Sequence, residues 1–185
     1  MIATMKTRGD TAEIGLLGAG IIGLTAGLRL LAQGWRVVIY AREITPHTTS
    51  DIAAALWFPY KVAPKARVKK WAENTRMIYG AMEQRGVPGV STAQNDAWNL
   101  EPDQQLAAQI VLRCAALRPE LAGARILGHL VGLRPGRPTV RLELEPRPGG
   151  RAIIHDYGHG GAGFTLAWAC ADEVVDLARE WSASN

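Results

Sequence analysis

The hexapeptide Gly18-Ala19-Gly20-Ile21-Ile22-Gly23 constrains this chain more than any other feature, because of what flanks it. Residues 12–17 read as a short buried strand. From Ile21 to about Ala32 the apolar spacing is helical, and Gln33-Gly34 supplies a stop. Trp35 to Ala41 is a β-branched and aromatic run, hence a second strand. A strand, a glycine turn, a helix and a second strand in about thirty residues make a βαβ unit with a right-handed crossover. In that unit the first glycine permits the tight turn and the second lets the backbone approach a pyrophosphate. The third lets helix and strand pack closely, with Gly27 extending the contact one turn on. Free backbone N–H groups and the positive end of the helix dipole then face the phosphates. The motif in this setting predicts a bound dinucleotide.

Which dinucleotide is left open by the same residues. An acid at the end of the second strand would hold the adenosine ribose, and that strand ends Tyr40-Ala41-Arg42-Glu43. Glu43 lies twenty residues past Gly23, but Arg42 occupies the slot just after the strand. This weakens a simple NAD reading and leaves FAD and NAD as alternatives.

A second glycine turn, Gly158-His159-Gly160-Gly161-Ala162-Gly163, opens a final helix from Phe164 to about Trp181. Four glycines in six residues remove side chains where a flat ring or a substrate must approach the backbone. A helix N-terminus aimed at a flavin's pyrimidine end would stabilise the negative charge that reduction develops there. His159 reads as a structural histidine. Arg134, where a strand-like run meets Pro135, carries a guanidinium whose fork matches a carboxylate. Arg137 and Arg141 offer the same chemistry, so local sequence does not choose among them.

Between these motifs the chain predicts a surface helix over Lys69–Gln84, a turn-rich join over Arg85–Trp98 and a helix over Asp103–Leu117, with Pro102 suited to its first turn. Strand-like segments follow at Ala124–Leu133, Thr139–Leu144 and Ala152–His155. At 185 residues the chain suits one well-buried domain or at most two very small ones. The net charge of +4 is mild, and Lys61, Lys65, Arg67, Lys69 and Lys70 lack interleaved aromatics, so a solvated helix face is expected there and no nucleic-acid partner. Cys114 and Cys170 have no metal-ligand spacing and are expected in the core, with no metal site. No apolar run reaches transmembrane length and the first residues do not read as a signal peptide. A reduced, cytoplasmic protein without a membrane partner is therefore expected.

Several blocks together resemble the D-amino acid oxidase family of FAD-dependent oxidases, bacterial branch. They are Gly18 to Thr25; Thr48-Thr49-Ser50-Asp51-Ile52-Ala53-Ala54-Ala55-Leu56-Trp57-Phe58-Pro59-Tyr60; Gly132-Leu133-Arg134-Pro135-Gly136-Arg137-Pro138; and His155-Asp156-Tyr157-Gly158 through Thr165. They stand in the family's order and span both ends of the chain. The resemblance implies FAD as cofactor and oxidative deamination of a D-amino acid to an imino acid, with oxygen as the second substrate and peroxide as product. Carried over by position, Arg134 would pair with the substrate carboxylate and Tyr60 would stand as a pocket wall. Gly18, Gly20, Ile21, Ile22 and Gly23, Arg42 and Glu43, Thr48, Thr49 and Ser50, and Ala54, Ala55 and Leu56 would bind FAD. Gly160, Gly161, Gly163, Phe164 and Thr165 would lie near its isoalloxazine.

The resemblance also implies a Rossmann-like α/β domain, a parallel central sheet flanked by helices, built from N- and C-terminal halves. In the family a substrate domain is inserted between those halves. Here Gly86-Val87-Pro88-Gly89-Val90 resembles the start of that insertion and Thr92 through Pro102 its end, with Ser91 alone between them. The expected layout is residues 1–90 as the N-terminal half, 91–97 as the join and 98–185 as the C-terminal half. Three readings follow: an oxidase, a catalytically reduced FAD-binding module, and an NAD-dependent dehydrogenase, which the C-terminal glycine block disfavours. Deleting a packed domain exposes formerly buried surface, so a homo-oligomer is also expected.

Overall fold

The computed structural model describes residues 2–6, 13–53, 62–81, 97–117 and 119–184. In chain order these form β1 (Ile2–Lys6), β2 (Glu13–Leu17), α1 (Ile21–Ala32), β3 (Arg36–Tyr40), α2 (Thr49–Ile52), α3 (Lys65–Ala81) and α4 (Gln104–Leu117). A 3-10 turn at Pro119–Leu121 precedes β4 (Gly136–Arg147) and β5 (Arg151–His159). A second 3-10 turn, Gly160–Ala162, runs into α5 (Gly163–Ser184). The βαβ unit read from the sequence is present: β2 and β3 pair in parallel, Glu13 opposite Arg36 through Leu17 opposite Tyr40, with α1 between them in the chain.

The five strands form one sheet in the order β3-β2-β1-β5-β4. The expectation of a parallel sheet is corrected to a mixed one. β1 runs antiparallel to both β2 and β5, and β4 antiparallel to β5. Connection length is the physical reason. Only residues 7–12 join β1 to β2, far short of the dozen or more that a parallel crossover requires. β4 and β5 are joined as a hairpin through Gly149 and Gly150, both with left-handed backbone (φ 75° and 62°). β2, β3 and β5 nevertheless run in one direction, because β2 and β5 both oppose β1.

Helices α1, α3 and α5 form a layer on one face of this sheet, around α5. Thr165, Leu166, Ala169, Cys170, Val174 and Ala178 recur at helical spacing on α5 and are buried, the amphipathic pattern of a core helix. Leu166, Ala169, Cys170, Val174 and Ala178 join Ile14, Leu16, Leu30, Val140, Leu142 and Ile154 in the hydrophobic core. α1 approaches the sheet closely at Gly27, where an added Cβ would lie 3.2 Å from Leu16 Cδ1. Polar ties set the helix order. Arg29 Nε lies 2.8 Å from Asp172 Oδ1, and the Arg29 guanidinium stacks 5.2 Å from the Trp168 ring, joining α1 to α5. The Ala169 amide donates to buried Thr75 Oγ1 (3.2 Å), and Trp71 Nε1 donates to Glu173 (2.8 Å), joining α3 to α5.

Arg67 pairs with the same Glu173 carboxylate and stacks 4.6 Å from Trp71, so one member of the basic cluster is an anchor between helices. Lys65, Lys69 and Lys70 are exposed, as a solvated face requires; Lys61 lies outside the described residues. Cys170 is buried, and burial pushes its thiol well above the ordinary value, leaving it a protonated core residue. Cys114 is only half-buried, because α4 packs chiefly on the turn at Pro119–Leu121. The strand expected over Ala124–Leu133 is absent. That segment is irregular, with Leu127 and Leu130 80% exposed or more, since a strand-like run makes no strand without a neighbour to pair with. β1, conversely, was not anticipated. No described helix is long and apolar enough to cross a membrane.

Candidate functional site

The first glycine turn links the C-terminal end of β2 to α1. Gly18 adopts φ 111°, a conformation that favours glycine, and its amide donates to the Tyr40 carbonyl (2.8 Å), tying the turn to the end of β3. An added Cβ at Gly23 would fall 2.0 Å from the Gly18 carbonyl oxygen, so this position admits no side chain without moving the turn. Intrahelical bonding begins with the Leu24 amide donating to Gly20 (3.0 Å). The amides of Ile21, Ile22 and Gly23 thus lie at the open, electropositive end of α1.

α2 closes one side of that end. Ser50 Oγ accepts the Ile21 amide hydrogen bond (2.9 Å), and an added Cβ at Gly20 would come 3.0 Å from the same oxygen. Thr48 caps α2 through Asp51, whose Oδ2 accepts from the Thr48 amide (2.9 Å) and hydroxyl (2.6 Å). Asp51 Oδ1 accepts from Thr45 Oγ1 (2.5 Å). These bonds, Thr45's first and Thr48's next, hold the Asp51 carboxyl below its ordinary range, because each stabilises the charged form. A half-open cleft of about 190 Å³ lies here, lined by Ala19, Ile21, Leu24, Thr45, Thr48, Ser50, Asp51 and Phe164.

The C-terminal half supplies the other walls. Gly163, at the start of α5, places its Cα side against Ile21: an added Cβ would lie 3.7 Å from Ile21 Cγ2. Phe164 lines the cleft and Thr165 is buried behind it. Gly132 packs on α2, with Thr49 and Ile52 atoms 3.6 Å from an added Cβ. Two residues on, Arg134 is exposed in a tight turn whose carbonyl accepts the Gly136 amide (2.8 Å). Pro135 accepts from the Gly160 amide (3.2 Å), which joins the arginine's turn to the second glycine turn. Gly160 has φ 53°, and Gly161 is exposed. Four sequence blocks are thereby brought to one end of α1.

Arg42 and Glu43 follow β3 beside the first glycine turn, exposed and paired with each other (Nη2 to Oε1, 3.0 Å). Ala54, Ala55, Leu56 and Tyr60 lie outside the described residues, as does residue range 91–96 of the join. His159 is buried, its Nε2 3.2 Å from Oδ1 of fully buried Asp156. Both sit beneath the start of α5, as suits a structural histidine; with Cys170 their donor atoms fall within 4.8 Å of one another. Thr45 and Asp51 were not singled out from the sequence as site residues. The spacing Thr48-x-x-Asp51, a helix-capping pattern, was the signal available.

The residues present fit the diphosphate part of a dinucleotide. Gly18, Gly20 and Gly23 put no Cβ on the turn, and the Ile22 and Gly23 amides, ahead of the first intrahelical bond, remain as donors at that end of α1. Pockets for whole drug-sized ligands measure about 300–1,000 Å³, so this cleft would hold only part of such a molecule.

The family described as FAD dependent oxidoreductase matches residues 14–94 and 87–177, two stretches that meet at 87–94. A D-amino-acid oxidase of Streptomyces coelicolor is 64% identical over 308 residues, taking in 90% of this chain and 96% of that protein. That span far exceeds the 185 residues of this chain, so the match crosses positions that have no counterpart here. A D-amino-acid oxidase of Rubrobacter xylanophilus is 58% identical over 87 residues, covering 47% of this chain and 27% of the relative. A human D-aspartate oxidase is 45% identical over 92 residues, covering 48% and 27%.

Proposed function

The chain belongs to the FAD-dependent oxidoreductase family, and on that premise we propose that it binds FAD at the N-terminus of α1 and descends from an enzyme that oxidatively deaminates D-amino acids. The observation that carries this reading is the convergence of Gly18–Gly23, Thr48–Ser50, Gly132–Gly136 and Gly160–Thr165 on one helix end. FAD held there would supply the redox chemistry, hydride acceptance from the substrate's α-carbon and return of two electrons and two protons to oxygen as peroxide, with an imino acid that hydrolyses to a 2-oxo acid as the other product.

The chain's own residues position and polarise. Amides of α1 donate to the diphosphate, and the Ser50 hydroxyl, whose oxygen already accepts from Ile21, retains its O–H to donate into the cleft. Glu43 would accept from ribose hydroxyls, with Arg42 orienting it. The start of α5, Gly163 to Thr165, places a helix N-terminus where negative charge develops on reduction. Arg134 would bind the substrate carboxylate as a fork. Ala54, Ala55, Leu56 and Tyr60 complete the FAD contacts and the pocket wall in this reading. In this reading the parallel β2–α1–β3 unit is the Rossmann-like part of the fold, and the two halves, 1–90 and 98–185, flank a join at 91–97.

A second reading, a module that binds FAD with little turnover, draws support from the interrupted match to the Streptomyces protein. A substrate held by Arg134 alone is open to water and poorly oriented, which removes several kcal/mol of positioning at about 10²-fold or more in rate. Exposed Trp98 (83%) and Leu112 (70%) fit a surface that a packed domain would cover on this reading. On this reading the cytoplasmic protein self-associates through that surface.

An absorbance spectrum after desalting separates these readings from the dehydrogenase. Retained flavin bands support both FAD readings; a colourless protein that takes up no added FAD overturns both. Peroxide release across D- and L-amino acids then divides oxidase from module.

A further inference from the structure

We infer that Arg137 is a positioning residue: it packs its stem across Gly158 and its guanidinium over Tyr157, and so locks the Arg134–Gly136 turn in place. The inference rests on the proposed carboxylate role of Arg134 and adds the device that aims it.

The need for such a device is visible in the β4–β5 ladder. Gly136 pairs with His159 and Arg141 with Tyr157, so β4 spends five residue steps where β5 takes two. Residues 137–140 therefore bulge out of the ladder, and an interruption that long loses the backbone bonds that would define its path. Other contacts hold its two ends: Gly160 donates to Pro135 (3.2 Å), and Val140 donates to Ala63 (2.9 Å). Arg137 holds its start. Gly158 has φ 89°, and a Cβ built there would fall 2.6 Å from Arg137 Cδ and 2.9 Å from its Cβ and Cγ. The arginine stem occupies the volume that a side chain at 158 would need. Gly158 thus leaves the room that the Arg137 stem fills.

The guanidinium sits 5.2 Å from the Tyr157 ring centroid, a cation–π contact. It pairs with no carboxylate among the described residues. Tyr157 is itself pinned, since Arg141 Nη1 donates to its hydroxyl (3.0 Å). That hydroxyl first, and Glu143 next, raise the Arg141 guanidinium above its ordinary value and keep it charged. A fixed ring therefore holds Arg137, and Arg137 holds the chain three residues after Arg134.

The test uses the FAD-loaded chain with benzoate, a monocarboxylate whose ring would perturb the flavin spectrum. Displacing a binding group by about 1 Å costs on the order of 10²-fold. Arg137→Ala is therefore expected to raise the benzoate Kd by roughly ten- to a hundredfold. FAD affinity and Tm should stay near those of the parent. Arg137→Lys, which keeps the stem and a cation over the ring, should restore binding to within about threefold. Unchanged benzoate affinity in Arg137→Ala, with Arg134→Ala weakened, overturns the positioning role alone. Loss of FAD affinity and Tm in step with benzoate binding also overturns it, by making Arg137 merely structural. If Arg134→Ala binds benzoate like the parent, or the parent does not bind it, the carboxylate role of Arg134 fails and this inference with it.

Discussion

Gly23→Ala tests the geometry of the glycine turn most directly. The added methyl would sit 2.0 Å from the Gly18 carbonyl oxygen and 3.1 Å from its carbon, against an ordinary C···O contact of about 3.3 Å. The obstacle is backbone, so no side-chain rotation relieves it, and the turn must retreat by more than 1 Å. Forcing a methylene into a packed site costs about 1–3 kcal/mol, and a displaced backbone belongs at the upper end. Moving Gly18 also strains its 2.8 Å bond to Tyr40, worth about 1 kcal/mol. Alanine's helix propensity returns about 1 kcal/mol, leaving a net loss near 3 kcal/mol. For a domain of 150–250 residues each kcal/mol shifts Tm by about 2–4 °C, so a fall of roughly 6–12 °C is expected. Urea denaturation should show a lower midpoint at unchanged slope. Gly20→Ala is the control: its methyl meets only the Ser50 hydroxyl, at 3.0 Å, and that side chain can yield with at most the loss of its bond to the Ile21 amide, so the cost should stay near 1 kcal/mol, about a third of that at Gly23. A Gly23→Ala protein melting with the parent, or above Gly20→Ala, would refute the packing argument.

Gly20→Val should weaken FAD retention after desalting much more than it lowers Tm, because the larger side chain enters the diphosphate's approach. The lowered Asp51 carboxyl makes a contribution to stability that is fully present above its ordinary value of 3.8 and is lost as pH falls through the lowered native value. Asp51→Asn should therefore flatten that acid limb of a stability–pH profile, and an unchanged limb would exclude Asp51 as its source. Thr75→Val removes the hydroxyl that accepts from Ala169 at the buried α3–α5 contact, with an expected loss of about 1–2 kcal/mol in denaturant unfolding; no loss would mean that the amide is otherwise satisfied.

What the sequence determined by itself was local. The hexapeptide between strand and helix, the stop at Gln33-Gly34 and the glycines before α5 act through backbone sterics and hydrogen bonds a few residues long. Their positions and elements were therefore legible: α1 spans Ile21–Ala32, the predicted bounds. Capping geometry was equally local, and Thr48-x-x-Asp51 contained the Asp51 carboxylate that now lines the cleft. The resemblance to a family supplied FAD, which spacing alone had left open against NAD.

Tertiary structure decided whatever depended on a partner distant in the chain. The segment Ala124–Leu133 reads as strand-like, but among the described residues no strand pairs with it, whereas Ile2–Lys6, which the sequence did not mark, is a strand because β2 and β5 flank it. Sheet direction followed from connection length and not from composition. Among Arg134, Arg137 and Arg141, one chemistry shared by three residues, the side chains were separated only by what each meets: Arg141 the Tyr157 hydroxyl and Glu143, Arg137 the face of that ring and Gly158, Arg134 an exposed turn beside Gly160. A sequence names the functional groups, but their division of labour is set by distances that only the packed sheet and helices define.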